Sequence, residues 1–257
     1  MRVVILCGGM GARLREETEV RPKPMVEIGG RPVLWHIMKT YAHYGYRDFI
    51  LCLGYKGEVI KQYFYNYEVL TNDFTVDLRN GEIVVHKTND EHGWRVTLAE
   101  TGLTAKTGAR VKRVQCYLDA DLFMVTYGDG VTDLDLRRLV AFHQAHGKIG
   151  TVTGVSPPSR YGELLIAGDR VMAFREKPQE GTSVINGGYF VFKRAFLDYL
   201  SAGDACVLER EPLERLANDG ELMVYSHSGF WQCMDTYRDM EYLKELWSLG
   251  EAPWKVW

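Results

Sequence analysis

Residues 3–14 read Val-Val-Ile-Leu-Cys-Gly-Gly-Met-Gly-Ala-Arg-Leu, and Arg21-Pro22-Lys23-Pro24-Met25 follows shortly after. The apolar, β-branched run at 3–6 has the character of a strand buried on both faces. It empties at once into a glycine-rich loop. Gly8, Gly9 and Gly11 let the backbone approach a ligand and turn its N–H groups toward an anion. Arg13, Arg21 and Lys23 supply positive charge, and the prolines on either side of Lys23 stiffen its backbone. The spelling excludes two common anion loops. Leu14 stands where a dinucleotide fingerprint has its third glycine, and no Gly-Lys-Ser/Thr triplet closes a P-loop. A different phosphate-holding loop is expected, with the triphosphate of a nucleotide as its anion.

Outward from this loop the pattern alternates. A helix is expected from Pro32 to Tyr41, with Leu34, Ile37, Met38 and Tyr41 on one face, then a buried strand at Phe49–Leu53. This is a βαβ unit, so the sheet is expected to be parallel. A helix over 57–69 follows, and Asn80-Gly81 marks a hairpin between 75–78 and 83–86. A strand at 96–99, a helix over 107–118 and a central strand at 122–126 come next. A helix over 134–147, in which His143 and His146 read as surface residues, leads to a strand at 149–155. Beyond Pro157-Pro158 the chain turns to short strands, a longer strand at 184–192, a helix at 207–218, a strand at 222–225 and a helix at 236–248. The fold class is therefore α/β: a mostly parallel central sheet flanked by helices, with a small additional β region and a C-terminal helical segment. Trp254 and Trp257 in the tail are expected to dock on the body or on a partner subunit.

The 257 residues suffice for one large domain. A net charge of −3, from 31 basic and 34 acidic residues, lacks the basic excess of a nucleic-acid binder. No apolar run is long enough for a membrane span, and no signal-peptide pattern opens the sequence. The five cysteines are odd in number, irregularly spaced and without a Cys-x-x-Cys, which reads as reduced packing thiols in a cytoplasmic protein rather than a zinc site.

Asp129, in Tyr127-Gly128-Asp129-Gly130, sits just past the C-terminal end of a buried strand, where open α/β sheets bind ligands. A carboxylate there suits Mg²⁺; Gly-Asp-Gly is also good turn chemistry. Asp235 precedes a helix and reads either as its cap or as a second metal carboxylate. Glu176 and Lys177 are candidates for a sugar hydroxyl and a phosphate. Asn186, in a strand interrupted by Gly187 and Gly188, can both donate and accept hydrogen bonds.

These motifs together resemble the sugar-1-phosphate nucleotidylyltransferases. The residues that carry the resemblance are the 8–14 loop, 21–32, Thr126–Val131, Glu176–Pro178, Ile185–Gly188 and Gly229–Thr236. The Glu16-Glu17-Thr18 segment and the Ala-Pro-Trp-Lys ending resemble the cytidylyl subgroup. The resemblance spans residues 1–257 and implies one Rossmann-like nucleotidyltransferase domain. Its parts would be a nucleotide-binding core (1–155), a sugar-phosphate part (156–203) and a C-terminal segment (204–257) that completes the site. It further implies CTP and a sugar 1-phosphate, in the subgroup glucose 1-phosphate, as substrates, with Mg²⁺ as cofactor. Lys23 and Arg13 would act on the triphosphate, and Asp129 and Asp235 would hold the metal. Leu6, Cys7, Gly8, Gly9, Met10, Gly11, Ala12, Thr101, Gly102, Arg110 and Gly128 would bind the nucleotide. Gly162, Glu176, Lys177, Asn186 and Gly187 would bind the sugar phosphate. Homo-oligomers, hexamers among them, are implied as well. Ala12, Glu163 and Cys233 differ from the residues that the resemblance leads one to expect. The rival readings are a metal-dependent glycosyltransferase and a nucleotide-binding protein without activity.

Overall fold

The computed structural model describes residues 1–11, 14–86, 91, 93–157, 163–175 and 183–257. Ala12, Arg13, Gly162, Glu176 and Lys177 lie outside the described residues. Seven strands form the central sheet, in the spatial order Leu222–His227, Gly150–Val155, Ile185–Lys193, Leu122–Tyr127, Arg2–Leu6, Asp48–Leu53, Arg95–Glu100. All run parallel except Ile185–Lys193, which is antiparallel to both of its neighbours.

The unbroken apolar runs of the central strands are explained by burial on both faces. Val3, Ile5, Phe49, Leu51 and Met124 point into one core layer. Val4, Leu6, Ile50, Phe123 and Val125 point into the other. Helices Val33–His43 and Leu136–His146 cover the first layer, and Thr107–Arg113 and Glu211–Asn218 cover the second. The expected helix over 57–69 is divided at Asn66 into Gly57–Tyr65 and Tyr67–Thr71. The one expected over 107–118 gives way after Arg113 to a 3₁₀ turn at Gln115–Tyr117. Asn80-Gly81 joins Asp73–Asp77 to Glu82–His86, and a second hairpin pairs Glu163–Ala167 with Arg170–Arg175. No described helix is long and apolar enough to cross a membrane.

His143 is not a surface residue. It lies on the Leu136, Leu139, Val140 face of its helix and is buried. Its Nδ1 is 2.8 Å from Thr151 Oγ1, and burial lowers its pKa to about 4. His146 Nε2 reaches the same hydroxyl, at 2.7 Å.

The tail docks on the body, as its tryptophans require. Trp254 is fully buried, and Trp257 packs edge-on to Trp35 at 5.8 Å. Between them His36 is held as a neutral ring. Its Nε2–H donates to the Ile28 carbonyl at 2.8 Å, and its Nδ1 accepts from Trp254 Nε1 at 3.3 Å. Burial lowers its pKa to about 4. On acidification an unfolded histidine, with a pKa of about 6.5, takes up its proton first, so stability is present above that pH and lost below it. His36 is expected to remove about 3 kcal/mol between pH 6.5 and pH 4. Urea unfolding across this range should show a shallower acid loss for His36→Gln than for the parent. Parallel profiles would assign the acid sensitivity to other groups.

Candidate active site

Parallel strands deliver their following loops to one edge of the sheet. Leu6, Leu53, Glu100 and Tyr127 are the last residues of four adjacent parallel strands, so Cys7–Gly11, Gly54, Thr101–Thr107 and Gly128–Asp129 gather there. Residues 7–11, 103–107, 128 and 129 among them border a cavity of about 840 Å³. Leu6 to Gly11, Lys23, Gly128, Asp129 and Asp235 line it, with Leu103 to Thr107, Arg110, Tyr127 and Glu209.

At its floor, Lys23 Nζ donates to Asp129 Oδ2 at 2.5 Å and to Asp235 Oδ1 at 2.7 Å. These residues are 106 and 212 positions from Lys23 in sequence. Burial opposes the ammonium charge. The field of Asp129, with the bonds to both carboxylates, overcomes this and raises the Lys23 pKa. Lys23 is carried on a 3₁₀ turn, Lys23–Met25, whose flanking prolines fix its exit from the loop. Asp129 and Asp235 are set face to face by a short ladder in which Trp231–Cys233 pairs antiparallel with Gly130–Thr132. The Met234 N–H donates to the Asp129 carbonyl at 2.9 Å and extends this ladder.

Asp235 does not cap the last helix, Tyr237–Ser248. Thr236 does, in a capping box closed by Asp239. This releases Asp235 to face Lys23. The sequence carried that signal in Thr236-x-x-Asp239. Donor atoms of Asp129, Cys233 and Asp235 all lie within 4.8 Å of one another, so the residues present fit a divalent cation. Burial, with the charge of Asp129, raises the Cys233 pKa and keeps a thiol there.

The glycine loop is anchored from below. Arg110, on helix Thr107–Arg113, is buried, and its Nη2 donates to the Gly8 carbonyl at 3.0 Å. Its Nη1 donates to Leu53 O and Gly102 O, each at 2.8 Å, and to Thr101 Oγ1 at 2.7 Å. A Cβ on Gly8 would stand 2.2 Å from this guanidinium, so the close approach requires glycine. Gly11 has φ +61°, a conformation open to glycine at little cost. Arg110 therefore touches the cavity, but its donors are spent on carbonyls that join the 8–11 loop to the 101–103 loop. Thr101 shares this role. Its hydroxyl donates to Leu53 O at 2.5 Å, and neither it nor Gly102 lines the cavity. Arg21 is drawn away from the cavity by Glu17 and Glu27, at 3.3 and 3.0 Å.

Sequence reading missed the wall opposite the loop. Tyr127 OH donates to Glu209 Oε1 at 2.5 Å, and Thr107 Oγ1 donates to Glu209 Oε2 at 2.6 Å. Asn186 Nδ2 donates to Tyr127 OH at 3.2 Å, which joins Asn186 to this wall although it does not line the cavity. The Gly187 carbonyl accepts from Trp231 Nε1 at 2.7 Å. Lys106 brings a further cationic side chain to the lining. Tyr127 opens the Gly128-Asp129-Gly130 motif, but Thr107 and Glu209 come from segments of ordinary composition, so only the fold reveals the three as a set.

The comparisons with known proteins agree with this geometry. The family model described as nucleotidyl transferase matches residues 2–232. A glucose-1-phosphate cytidylyltransferase of Salmonella typhimurium is 52% identical over 258 residues, covering 100% of both chains. A probable glucose-1-phosphate cytidylyltransferase of Bacillus subtilis is 43% identical over 257 residues, again covering 100% of each. Two solved structures share the fold. HddC from Yersinia pseudotuberculosis has a TM-score of 0.68 at 24% identity, over 96% of this chain and 99% of that one. A putative glucose-1-phosphate thymidylyltransferase from Bacillus anthracis has a TM-score of 0.67 at 18% identity, over 96% and 94%. With the family model matched over most of its length and relatives aligned from end to end, the chain belongs to the nucleotidyl transferase family, as its motifs led us to expect.

Proposed function

We propose that the chain transfers a cytidylyl group from CTP to α-D-glucose 1-phosphate, giving CDP-glucose and pyrophosphate. The observation that carries this reading is end-to-end similarity, at 52% identity, to a relative of that name, in a chain whose cavity joins a glycine loop to the Lys23–Asp129–Asp235 cluster. The reaction needs no general base. A sugar phosphate is largely dianionic at neutral pH, with a second pKa of about 6. One of its oxygens attacks the α-phosphorus. As that O–P bond forms, the bond to the β-phosphate oxygen breaks and its electron pair leaves with pyrophosphate. The barrier lies in bringing two anions together, so positioning and electrostatics dominate.

The chain's own residues supply both. The 8–11 loop presents backbone N–H groups to phosphate, with Arg110 holding that backbone in place. The Lys23 ammonium, oriented by two carboxylates, stands ready to neutralise charge on the transferred and leaving phosphates. Asp129 and Asp235 would hold Mg²⁺, which when bound supplies further positive charge to the phosphate oxygens. Arg13 remains a second candidate cation on the triphosphate. Glu176, Lys177 and Gly162, with Asn186 and Gly187, are proposed for the sugar phosphate. The Tyr127–Thr107–Glu209 wall offers hydroxyl and carboxylate partners for substrate hydroxyls.

A matrix of four nucleoside triphosphates against several sugar 1-phosphates, scored by pyrophosphate release, tests the reading. CTP with glucose 1-phosphate is expected to give the highest kcat/KM. Release of a nucleoside diphosphate from a nucleotide sugar, without pyrophosphate chemistry, would favour a glycosyltransferase. Inactivity of every pair would refute the proposal.

A further inference from the structure

We propose that Cys233 Sγ joins Asp129 and Asp235 in a mixed sulfur–oxygen site that captures thiophilic divalent cations such as Co²⁺, Zn²⁺ or Cd²⁺. The inference rests on the reading of the two carboxylates as cation ligands and adds a third donor of a different chemical kind. The backbone explains why a thiol points there. Trp231–Cys233 is extended, and residues two apart on an extended segment face the same side. Met234, between them, is fully buried in the core on the opposite side. Cys233 and Asp235 thus both turn toward Asp129, and the ladder pairing of Cys233 with Gly130 holds the two segments in register.

The three donor atoms lie within 4.8 Å of one another. Around one zinc ion, with Zn–S of about 2.3 Å and Zn–O of about 2.0–2.2 Å, tetrahedral donors sit roughly 3.5 Å apart. Small side-chain rotations close that difference. The place already holds positive charge, because Lys23 Nζ bonds one oxygen of each carboxylate. An arriving cation competes with that ammonium. Ligation is balanced by loss of one proton: the thiol and M²⁺ give a thiolate–metal bond and H⁺ released to solvent. Hard Mg²⁺ takes the carboxylates and leaves the sulfur outside its shell, whereas Co²⁺, Zn²⁺ and Cd²⁺ accept thiolate readily. The same position then discriminates between cations by the softness of one side chain.

The test is a Co²⁺ titration of the full chain without nucleotide, followed by near-ultraviolet absorption. A thiolate-to-cobalt charge-transfer band is expected, with about one proton released per bound ion. The band should vanish in Cys233→Ser and in Cys233→Ala, two variants whose circular dichroism establishes that the fold is kept. It should persist in Cys116→Ser, which removes the exposed thiol. Equilibrium dialysis should show Zn²⁺ affinity falling roughly tenfold or more in Cys233→Ser, while Mg²⁺ affinity is unchanged. A band that survives loss of Cys233 overturns the proposal, as does a parent protein without one at millimolar cobalt. The readout needs no substrate. Failure of the pyrophosphate assay would therefore refute the cytidylyl reading and leave sulfur ligation standing, and the reverse outcome would do the opposite.

Discussion

Replacing Lys23 with alanine is expected to slow pyrophosphate release by roughly 10²–10³-fold, the range found when one preorganised electrostatic group is removed. The geometry explains why the loss should fall on turnover. Lys23 reaches its position across a stiff Pro-Lys-Pro turn and is aimed by two carboxylates before any substrate arrives. The ammonium is thereby held at the cavity before charge develops on the phosphates. Lys23→Arg should recover only part of the rate, because a planar guanidinium cannot place one nitrogen between Asp129 and Asp235 as a compact ammonium does. Steady-state kinetics at saturating substrates, with melting temperatures as a check on folding, provide the measurement. Unchanged turnover in Lys23→Ala would remove Lys23 from the mechanism.

Arg110→Met should cost on the order of 3–5 kcal/mol of stability, since a buried charged donor to Gly8 O, Leu53 O, Gly102 O and Thr101 Oγ1 is lost, at about 1.5–3 kcal/mol for a hydrogen bond to a charged group and with the remaining donors compensating in part. In a protein of this size that lowers the melting temperature by roughly 10 °C. Gly8 O keeps the Tyr55 N–H and Leu53 O keeps Thr101, but the tie that Arg110 makes between them and Gly102 O is lost, so the damage falls where the phosphate loop meets the 101–103 loop. The KM for nucleotide should therefore rise more than kcat falls. Calorimetry and nucleotide titration check the two halves separately. A variant that melts like the parent would show that water replaces the guanidinium without cost. Such an outcome would return Arg110 to the role of a ligand-binding cation.

What the sequence disclosed follows from what can be read along a chain. The strand–loop unit at 3–14 and the glycine-flanked Asp129 were legible because a parallel sheet sends every such loop to one edge. Lys23 and Asp129 were therefore expected together without any knowledge of distance, and the resemblance added Asp235 to them. The choice between cap and ligand for Asp235 turned on its neighbour, since Thr236 with Asp239 forms a complete capping box. Arg110 reads as one more basic residue near a phosphate loop. Its burial beneath that loop is a property of the layer it packs in, which no local pattern reports. His143 is the reverse case. Its spacing from Leu136, Leu139 and Val140 already put it on the apolar face, so the helical period outweighed its polarity. Thr107 and Glu209 had no such cue, because they meet Tyr127 only through tertiary folding.

The ladder between Gly130–Thr132 and Trp231–Cys233 has a temporal meaning as well as a spatial one. Closing it joins segments about a hundred residues apart, and contacts of such separation are costly in chain entropy and slow to form. During synthesis the first strand, its glycine loop and Lys23 emerge early, yet Asp235 has no place to stand until the last helix arrives. A nascent or clipped chain would hold a phosphate cradle without its second carboxylate. Completion of the cluster is thus a late event in the folding of the molecule.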